Sequence, residues 1–415
     1  MHIFSIVFLA ALVFTTLFRA WLATRQIHFV LSHRREVPGP FKEKVSLQEH
    51  QKAADYTISK VRLGRWELLV DVLVVLGFTF GGGLEWIDQL LRAQSLGWIG
   101  TAIGLAAFTT LVSGVIGLPF TIYSTFVIEQ KFGFNRMTPA LFIKDMIKSA
   151  LLGAAVGLPL FIAIIWIMES LGQSWWFYAW LVVVAFSLLA MVVFPIWIAP
   201  MFNKFSPLTN DALKTRIENL LSKCGFKSQG LFVMDGSKRS SHGNAYFTGL
   251  GKSKRIVFFD TLIERLQPDE IEAVLAHELG HFKRKHVLKR ILLTFFMSLI
   301  FFALLGWLIN QSWFFEGLGV SQRSSAMALI LFSMILPFFT FPLKPVSSLY
   351  SRKHEFEADE YAAQQTDGKD LINALVKLYQ DNASTLTPDP LYSAIYDSHP
   401  PAAIRINHLR QLAGT

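Results

Sequence analysis

The chain has 415 residues, of which 52% are hydrophobic and 17% are charged. Soluble proteins are about 25% charged, so the composition excludes a set of ordinary soluble domains and indicates an integral membrane protein. The formal net charge is +9, but the basic residues are scattered over several loops without interleaved aromatic residues, which argues against a nucleic-acid partner. The single cysteine, Cys224, excludes an internal disulfide and a cysteine-based zinc knuckle.

Seven apolar segments are close to the ~20 residues that cross a bilayer as a helix. The first has no preceding basic region and no clear cleavage site, so we interpret it as a retained anchor rather than a signal peptide. Basic loops alternate with nearly uncharged ones, and the positive-inside rule places the basic loops in the cytoplasm and the N-terminus on the opposite side. The approximate bounds of the segments are 3–24, 66–91, 98–126, 147–169, 175–200, 288–310 and 324–349.

Residues 236–262 contain two β-rich runs separated by a Gly/Lys/Ser turn, a pattern typical of a hairpin. An exposed hairpin strand can bind an extended peptide through backbone hydrogen bonds. We expect that edge at Asn244, Ala245 and Tyr246, although a purely structural hairpin fits the pattern nearly as well.

The stretch "QPDEIEAVLAHELGHFKRKHVLKR" has apolar residues at helical spacing, with acidic residues in its first turn and basic ones at its end. On a helix His277 and His281 share a face and can bind one metal ion, while Glu278 lies beside them as a general base for water. Small and apolar neighbours favour a buried metal site over a surface helix with two solvated histidines. His286 lies off this face, and we interpret it as a surface or interfacial residue.

A catalytic zinc ion normally has three protein ligands. In "SRKHEFEADEYAAQQ", residues 351–365, Glu355 and Asp359 share a helical face, whereas Glu357 points elsewhere. One of the two carboxylates can bind zinc and the other can accept the N–H of a ligating histidine. The spacing does not order them, although Glu355 has the longer reach, and a merely acidic helix surface is the alternative.

Near the C-terminus, "YDSHPPAAIRINHL" contains His399 in a loop and Arg405 on a predicted short helix. Both could stabilise the oxyanion that forms when water attacks a peptide carbonyl. From spacing alone, a solvated histidine and a surface arginine are the more frequent explanation.

With a metal-activated water and Glu278 as proton carrier to the leaving amine, the set predicts peptide hydrolysis without a covalent intermediate.

The chain strongly resembles the type I CaaX prenyl proteases, integral-membrane zinc endopeptidases that remove the last three residues of isoprenylated proteins. The resemblance covers nearly the whole length and implies a predominantly α, polytopic fold, with seven transmembrane helices forming a chambered barrel and a small α+β zinc-protease domain at the cytoplasmic face. The blocks that carry it are, in order, "YSTFVIEQKFGFNRMTPALFIKD", "PMFNKFSPL", "GSKRSSHGNAYF", "KRIVFFDTL", "HELGH", "RKHEFEADEYA" and "SHPPAAIRINHL".

The resemblance also implies a role for each matching residue and one zinc ion per chain. His277, His281 and Glu355 match the zinc ligands, Glu278 the catalytic base, and Asp359 the carboxylate behind a ligand. Asn244 and Ala245 match the substrate-holding strand, and His399 and Arg405 the C-terminal pair near the active site.

These assignments divide the chain into four parts. We expect an N-terminal membrane region (1–200), a protease segment with the hairpin and the metal helix (201–287), two further spans (288–349) and a C-terminal segment with the third ligand (350–415). The two polar segments are each too short to fold comfortably alone, so we expect them to form one domain.

The expected partners are the lipid bilayer and peptide or protein substrates that are lipidated or membrane-associated, and the chain is expected to act as a monomer. The short segment between hairpin and metal helix is typical of a prokaryotic member, which would lie in the inner or plasma membrane; a eukaryotic member would lie in the endoplasmic reticulum. In both, the active site would face the cytoplasm.

Three alternatives compete with this function. A quality-control protease that cuts membrane proteins without a prenyl requirement would use the same site. A noncatalytic scaffold or transporter with structural zinc is disfavoured by Glu278, because a structural site needs no general base. A protease with its motif inside an apolar span is disfavoured by the basic residues after His281, which indicate a membrane boundary.

Overall fold

The protein is described by a computed structural model that covers residues 2–248 and 255–412. Helices dominate the chain, and short strands lie between the seventh and ninth helices. The helices are α1 Ile3–His33, α2 Leu47–Phe78, α3 Gly83–Ala93, α4 Gly97–Tyr123, α5 Pro139–Ser170, α6 Trp175–Val193, α7 Ala199–Phe202, α8 Asp211–Lys223, α9 Asp260–Arg265, α10 Pro268–Lys283, α11 His286–Leu308, α12 Ser312–Glu316, α13 Ser325–Thr340, α14 Lys344–Gln365, α15 Gly368–Asp381, α16 Pro390–Tyr396 and α17 Ala402–Leu412.

Within the described part of the chain, six helices are long and apolar enough to cross a membrane. A seventh span is obtained when the bent pair of α2 and α3 counts as one. The predominantly α, polytopic fold class is therefore confirmed. The six are Ile3–His33, Gly97–Glu129, Pro139–Ser170, Gly172–Phe202, His286–Leu308 and Ser325–Gln365.

The second predicted segment differs from the observed helices. α2 begins at Leu47, well before residue 66, and α3 continues it at an angle of 49°. Gly82 has a φ of +74°, and a Cβ on Gly81 would lie 2.7 Å from the carbonyl oxygen of Gly77. Only glycine fits such a break without strain, so the apolar run bends instead of continuing as one straight helix.

The membrane helices pack their inner faces into one apolar cluster and leave large apolar side chains on their outer faces. Phe8, Leu105 and Phe314 are completely buried in the cluster. Trp66 and Trp197 are more than half exposed, which is the pattern of a surface covered by lipid rather than water. The lengths and composition of the helices thus account for the membrane part of the fold.

Four strands form one sheet in the order β1-β2-β4-β3. Their bounds are β1 Phe205–Pro207, β2 Leu231–Met234, β3 Ala245–Thr248 and β4 Arg255–Phe259. β3 and β4 pair antiparallel, β2 and β4 pair parallel, and β3 forms one edge of the sheet. The two strands of the expected hairpin are present, while its Gly/Lys/Ser turn lies in 249–254, outside the described residues.

A second core joins the two polar blocks of the sequence. It contains Ile217, Phe258 and Ala276 from the first block, and Leu375 and Ile406 from the second. Because both blocks bury their apolar side chains in the same cluster, they form one folded unit. This unit brings α10 and α14 together, and the candidate site lies where they meet.

Candidate metal centre and active site

α10 carries the H-E-x-x-H motif, and its ends match the signals in the sequence. Pro268 occupies the first turn, and the backbone N–H of Gln267 donates to the Glu270 carboxylate (2.7 Å) in a capping box. The helix ends at Lys283, and Lys285 has a φ of +57°. The apolar face of α10 is buried in the core, which leaves its histidine face against α14.

The approach of α10 to α14 depends on Gly280. A Cβ at this position would lie 2.9 Å from the Cα of Ala358 and 3.0 Å from its carbonyl oxygen. α14 follows α13 through a short 3₁₀ turn at Phe341–Leu343. The glycine therefore allows a helix that continues a membrane span to lie directly against the motif helix.

This packing brings together His277, His281 and Glu355. The Nε2 atoms of the two histidines are 3.2 Å apart. Glu355 Oε2 is 3.5 Å from His277 Nε2, and Glu355 Oε1 is 3.5 Å from His281 Nε2. One ligand atom from each residue lies within 4.8 Å of the others, so the group could hold a metal ion.

The donor atoms fit a divalent metal of the zinc type. Zinc–nitrogen bonds of about 2.0–2.1 Å in a tetrahedral arrangement place two nitrogens about 3.3 Å apart, close to the observed separation. Among the described residues, the buried Glu355 Oε2 has no hydrogen-bond partner. A buried carboxylate oxygen that faces two imidazole nitrogens is well explained as a metal ligand.

Asp359 lies behind the histidines, one turn after Glu355. His277 Nδ1 donates to Asp359 Oδ1 at 2.8 Å, and Arg405 donates to both oxygens of the same carboxylate at 2.5 and 2.8 Å. The structure therefore distinguishes the two carboxylates that the sequence left open: Glu355 faces the Nε2 atoms of both histidines, and Asp359 faces the Nδ1 atom of His277. Burial opposes the charged imidazole of His277, but the neighbouring carboxylates of Asp359 and Glu355 raise its pKa to about 9.

Glu278 lines a cavity of about 490 Å³ together with His277 and Glu355. Burial raises the pKa of the Glu278 carboxyl. A carboxylate with a raised pKa at the edge of a metal site suits a group that accepts a proton from water and then releases it.

His399 and Arg405 both reach this cavity. His399 Nε2 is 3.5 Å from Glu355 Oε1, and the Ser398 hydroxyl lies 3.0 Å from His399 Nδ1. When that hydroxyl donates, the ring proton is on Nε2, facing the site. Arg405 is only 5% exposed, so the surface-arginine explanation is wrong. Spacing could not show this, because the burial comes from packing against α14.

The three residues expected at the strand edge do not all face the cavity. Asn244 and Ala245 line the cavity with the motif residues. Asn244 also holds the start of the edge strand, since its carbonyl oxygen accepts from the Phe259 N–H (2.9 Å). The Tyr246 side chain extends to the other face of the sheet, where its hydroxyl is 3.9 Å from Met234 Sδ.

Two residues at this site were not recognised in the sequence. His286 is 1% exposed, with its Nδ1 atom 3.0 Å from His281 Nδ1 and its Nε2 atom 2.8 Å from Glu357 Oε2. The interpretation of His286 as a surface residue is therefore wrong, whereas an interfacial position agrees with its place at the start of a candidate membrane span. Helical spacing failed because the left-handed Lys285 ends α10 before His286, and nothing in the local sequence indicates that break.

His242 was also missed. It lines the same cavity and lies just before the edge strand. Its Nδ1 atom is 3.0 Å from Asn382 Oδ1, and its Nε2 atom is 3.4 Å from Glu129 Oε2 at the end of the third span. A histidine two residues before the expected edge could have been marked as a candidate on position alone.

Two family models together match nearly the whole chain. Residues 26–204 match the model described as CAAX prenyl protease N-terminal, five membrane helices, and residues 207–413 match peptidase family M48.

Similar proteins come from plants, yeast and animals. The chain is 38% identical over 375 residues to a CAAX prenyl protease 1 homolog of Arabidopsis thaliana, with 87% of each protein covered. It is 40% identical to the CAAX prenyl protease 1 of Saccharomyces cerevisiae over 76% of this chain and 72% of the relative. The crystal structure of S. mikatae Ste24p superposes with a TM-score of 0.92 at 31% identity, covering 99% of both chains.

Proposed function

The chain belongs to peptidase family M48 and has the N-terminal membrane region of the CAAX prenyl proteases, and we propose that it is a zinc endopeptidase that cleaves lipidated peptides near their C-terminus. Family membership makes it a multi-pass membrane metalloprotease that acts on peptides or proteins. The identity of the metal, the residue roles and the prenylated substrate are our proposals.

One observation carries the proposal. His277 and His281 from α10 and Glu355 from α14 converge on one point, and Glu278 lines the cavity beside it. A structural metal site needs no such carboxylate, whereas hydrolysis needs a base within reach of water. The intact set therefore favours an enzyme over the scaffold alternative.

His277, His281 and Glu355 would hold one zinc ion per chain, which would polarise the scissile carbonyl and make water more acidic. Glu278 accepts the proton of the attacking water and passes it to the leaving amine. His399 donates from Nε2 to the oxygen that becomes negative during the attack. Arg405 acts through Asp359: it holds the carboxylate that orients His277.

Asn244 and Ala245 would hold the substrate backbone against the edge strand β3, with Tyr246 continuing that edge. Support comes from the edge position of β3 and from the lining of the cavity by the first two residues. An extended peptide bound there would pass directly in front of Glu278.

The remaining assignments follow the topology. We propose four parts, at 1–200, 201–287, 288–349 and 350–415, with the second and fourth forming one protease domain. The concentration of basic residues in loops on one side supports a cytoplasmic active site, in the endoplasmic reticulum of a eukaryotic host or the plasma membrane of a prokaryotic one. All proposed ligands come from one chain, which supports a monomer.

The test uses purified wild type and Glu278→Gln in detergent. We expect one zinc ion in each, and a loss of about 10²–10⁴-fold in the hydrolysis rate of the variant. Glu272→Gln is the matched control, because Glu272 is on the same helix but pairs with Arg216 outside the cavity. The protease proposal fails if purified wild type holds no metal, or if Glu278→Gln cuts as fast as wild type.

Substrate class is decided with two peptides of one sequence, one farnesylated on a cysteine four residues from its C-terminus and one unmodified. We expect the farnesylated peptide to be cut faster and to lose its last three residues. Equal rates would refute the lipid requirement and favour the quality-control protease.

A further inference from the structure

Each of the two histidines in the proposed metal site has its second ring nitrogen in a different contact. His277 donates from Nδ1 directly to the Asp359 carboxylate. His281 directs Nε2 toward the other candidate ligands, while its Nδ1 atom lies 3.0 Å from His286 Nδ1. The orientation of one histidine is thus set by a carboxylate, and that of the other by a second imidazole.

His286 is held firmly at the junction of α10 and α11. Lys285, in the left-handed conformation, turns the chain so that α11 begins at His286. The His286 ring stacks on the His354 ring of α14, with centroids 3.9 Å apart and planes 10° from parallel. Enclosed in this way, the His286 ring is fixed by packing on one side and by hydrogen bonds at both nitrogens.

The chain of hydrogen bonds has only one consistent direction when a metal is bound. The Glu357 carboxylate accepts only, so His286 Nε2 carries the proton in their 2.8 Å contact. The neutral ring of His286 then accepts at Nδ1 from the Nδ1–H of His281. His281 is left with its lone pair on Nε2, the nitrogen that faces His277 and Glu355.

We propose that Glu357 and His286 together position His281 as a metal ligand, a role that rests on the proposed metal site. His286 is a positioning residue and touches neither substrate nor metal. Without its acceptor nitrogen, the Nδ1–H of His281 would lack its partner and the ring could turn away from the site. This would weaken metal binding even with all three ligands present.

The two supports differ in what surrounds their carboxylates. Asp359 is completely buried and paired with Arg405, whereas Glu357 is partly exposed and lies 3.9 Å from the Lys353 ammonium. The hydrogen-bonded chain that supports His281 therefore ends at the Glu357 carboxylate, which water can reach. The His286 imidazole lies between this carboxylate and His281 and transmits its orienting effect.

Three substitutions separate the hydrogen bond from packing. His286→Phe keeps an aromatic ring that can stack on His354 but has no acceptor. His286→Asn loses the ring but places an amide oxygen near the position of Nδ1, where it can accept from His281. Glu360→Gln is the control, because Glu360 lies on α14 with Glu357 but contacts His408 instead of the site.

The measurement is zinc affinity by titration of the metal-free full-length protein in detergent against a competing chelator. Melting of each metal-free variant checks that it is folded. We expect His286→Phe to raise the dissociation constant by about 10–100-fold, the effect usual for lost support of a metal ligand. His286→Asn should recover most of that loss, and Glu360→Gln should match wild type.

The possible failures are distinguishable. If wild type itself does not bind zinc, the proposed function fails together with the inference. If wild type binds zinc and His286→Phe binds it equally well, only the positioning role is refuted. If His286→Asn weakens binding as much as His286→Phe, an acceptor at this position does not restore the support of His281, and the proposed hydrogen bond is refuted as the cause.

Discussion

Gly280 is a point of close approach between the motif helix and α14, and Gly280→Ala tests whether that approach builds the proposed metal site. The new Cβ would lie 2.9 Å from Ala358 Cα, 3.0 Å from Ala358 oxygen and 3.1 Å from Tyr361 Cβ. Carbon atoms in contact prefer about 3.5–4.0 Å. Because two of the three atoms are backbone, the helices must separate by ~0.6 Å or more.

The separation should affect metal binding more than folding. Overpacking costs about 1–3 kcal/mol, and alanine regains about 1 kcal/mol of helix propensity over glycine, so the net loss of stability is about 0–2 kcal/mol. Metal–ligand distances tolerate only about 0.2 Å. A shift of Glu355 away from His277 and His281 exceeds this tolerance, and we expect zinc affinity to fall by about tenfold or more.

Zinc affinity is measured by chelator competition, and the stability of the metal-free protein by thermal denaturation in detergent. Gly64→Ala in α2 is the control, because its Cβ would meet no atom within 4 Å. That variant should bind zinc as wild type does. If Gly280→Ala also keeps wild-type affinity, the close approach does not set the ligand geometry and the reasoning is wrong.

Three further variants test the support of His277 and the role of the loop histidine. Asp359→Ala removes one partner of a buried ion pair and should lower the free energy of unfolding by about 3–5 kcal/mol. The double variant Asp359→Leu with Arg405→Met removes both partners, so it should melt at a higher temperature than Asp359→Ala. The reverse order of melting temperatures would contradict the pairing. His399→Ala should lower kcat by about 10²–10³-fold at unchanged zinc content, and a change confined to KM would exclude oxyanion stabilisation.

Local spacing was enough to group the two histidines with the base of the proposed site, and to narrow the third ligand to two carboxylates. A helical period places His277 and His281 on one face, and the same period pairs Glu355 with Asp359. The order of the two carboxylates was not predictable, because it depends on how α14 lies against α10. That arrangement depends on a close contact between Gly280 and Ala358, which are far apart in sequence.

Other features escaped prediction because they depend on long-range pairing or on a local break. β2 has only four residues and pairs in parallel with β4, so its partner is remote in sequence. His286 was excluded by a helical period that the structure interrupts at Lys285. A lysine with positive φ is unusual, and its sequence neighbours do not indicate it.

The proposed metal site also connects the proposed protease domain to the packing of the membrane helices. Glu355 lies on the helix that continues the last span, and His286 is the first residue of the preceding one. His286 stacks on His354 and contacts His281, so the start of α11 and the middle of α14 both lie within the proposed site. A metal ion that binds only the assembled arrangement stabilises all of these contacts together. The free energy of this stabilisation grows with the logarithm of the ratio of metal concentration to dissociation constant. We therefore expect removal of the metal to loosen the start of α11 and the part of α14 around Glu355 before it affects the sheet, since β3 and β4 pair without any proposed ligand.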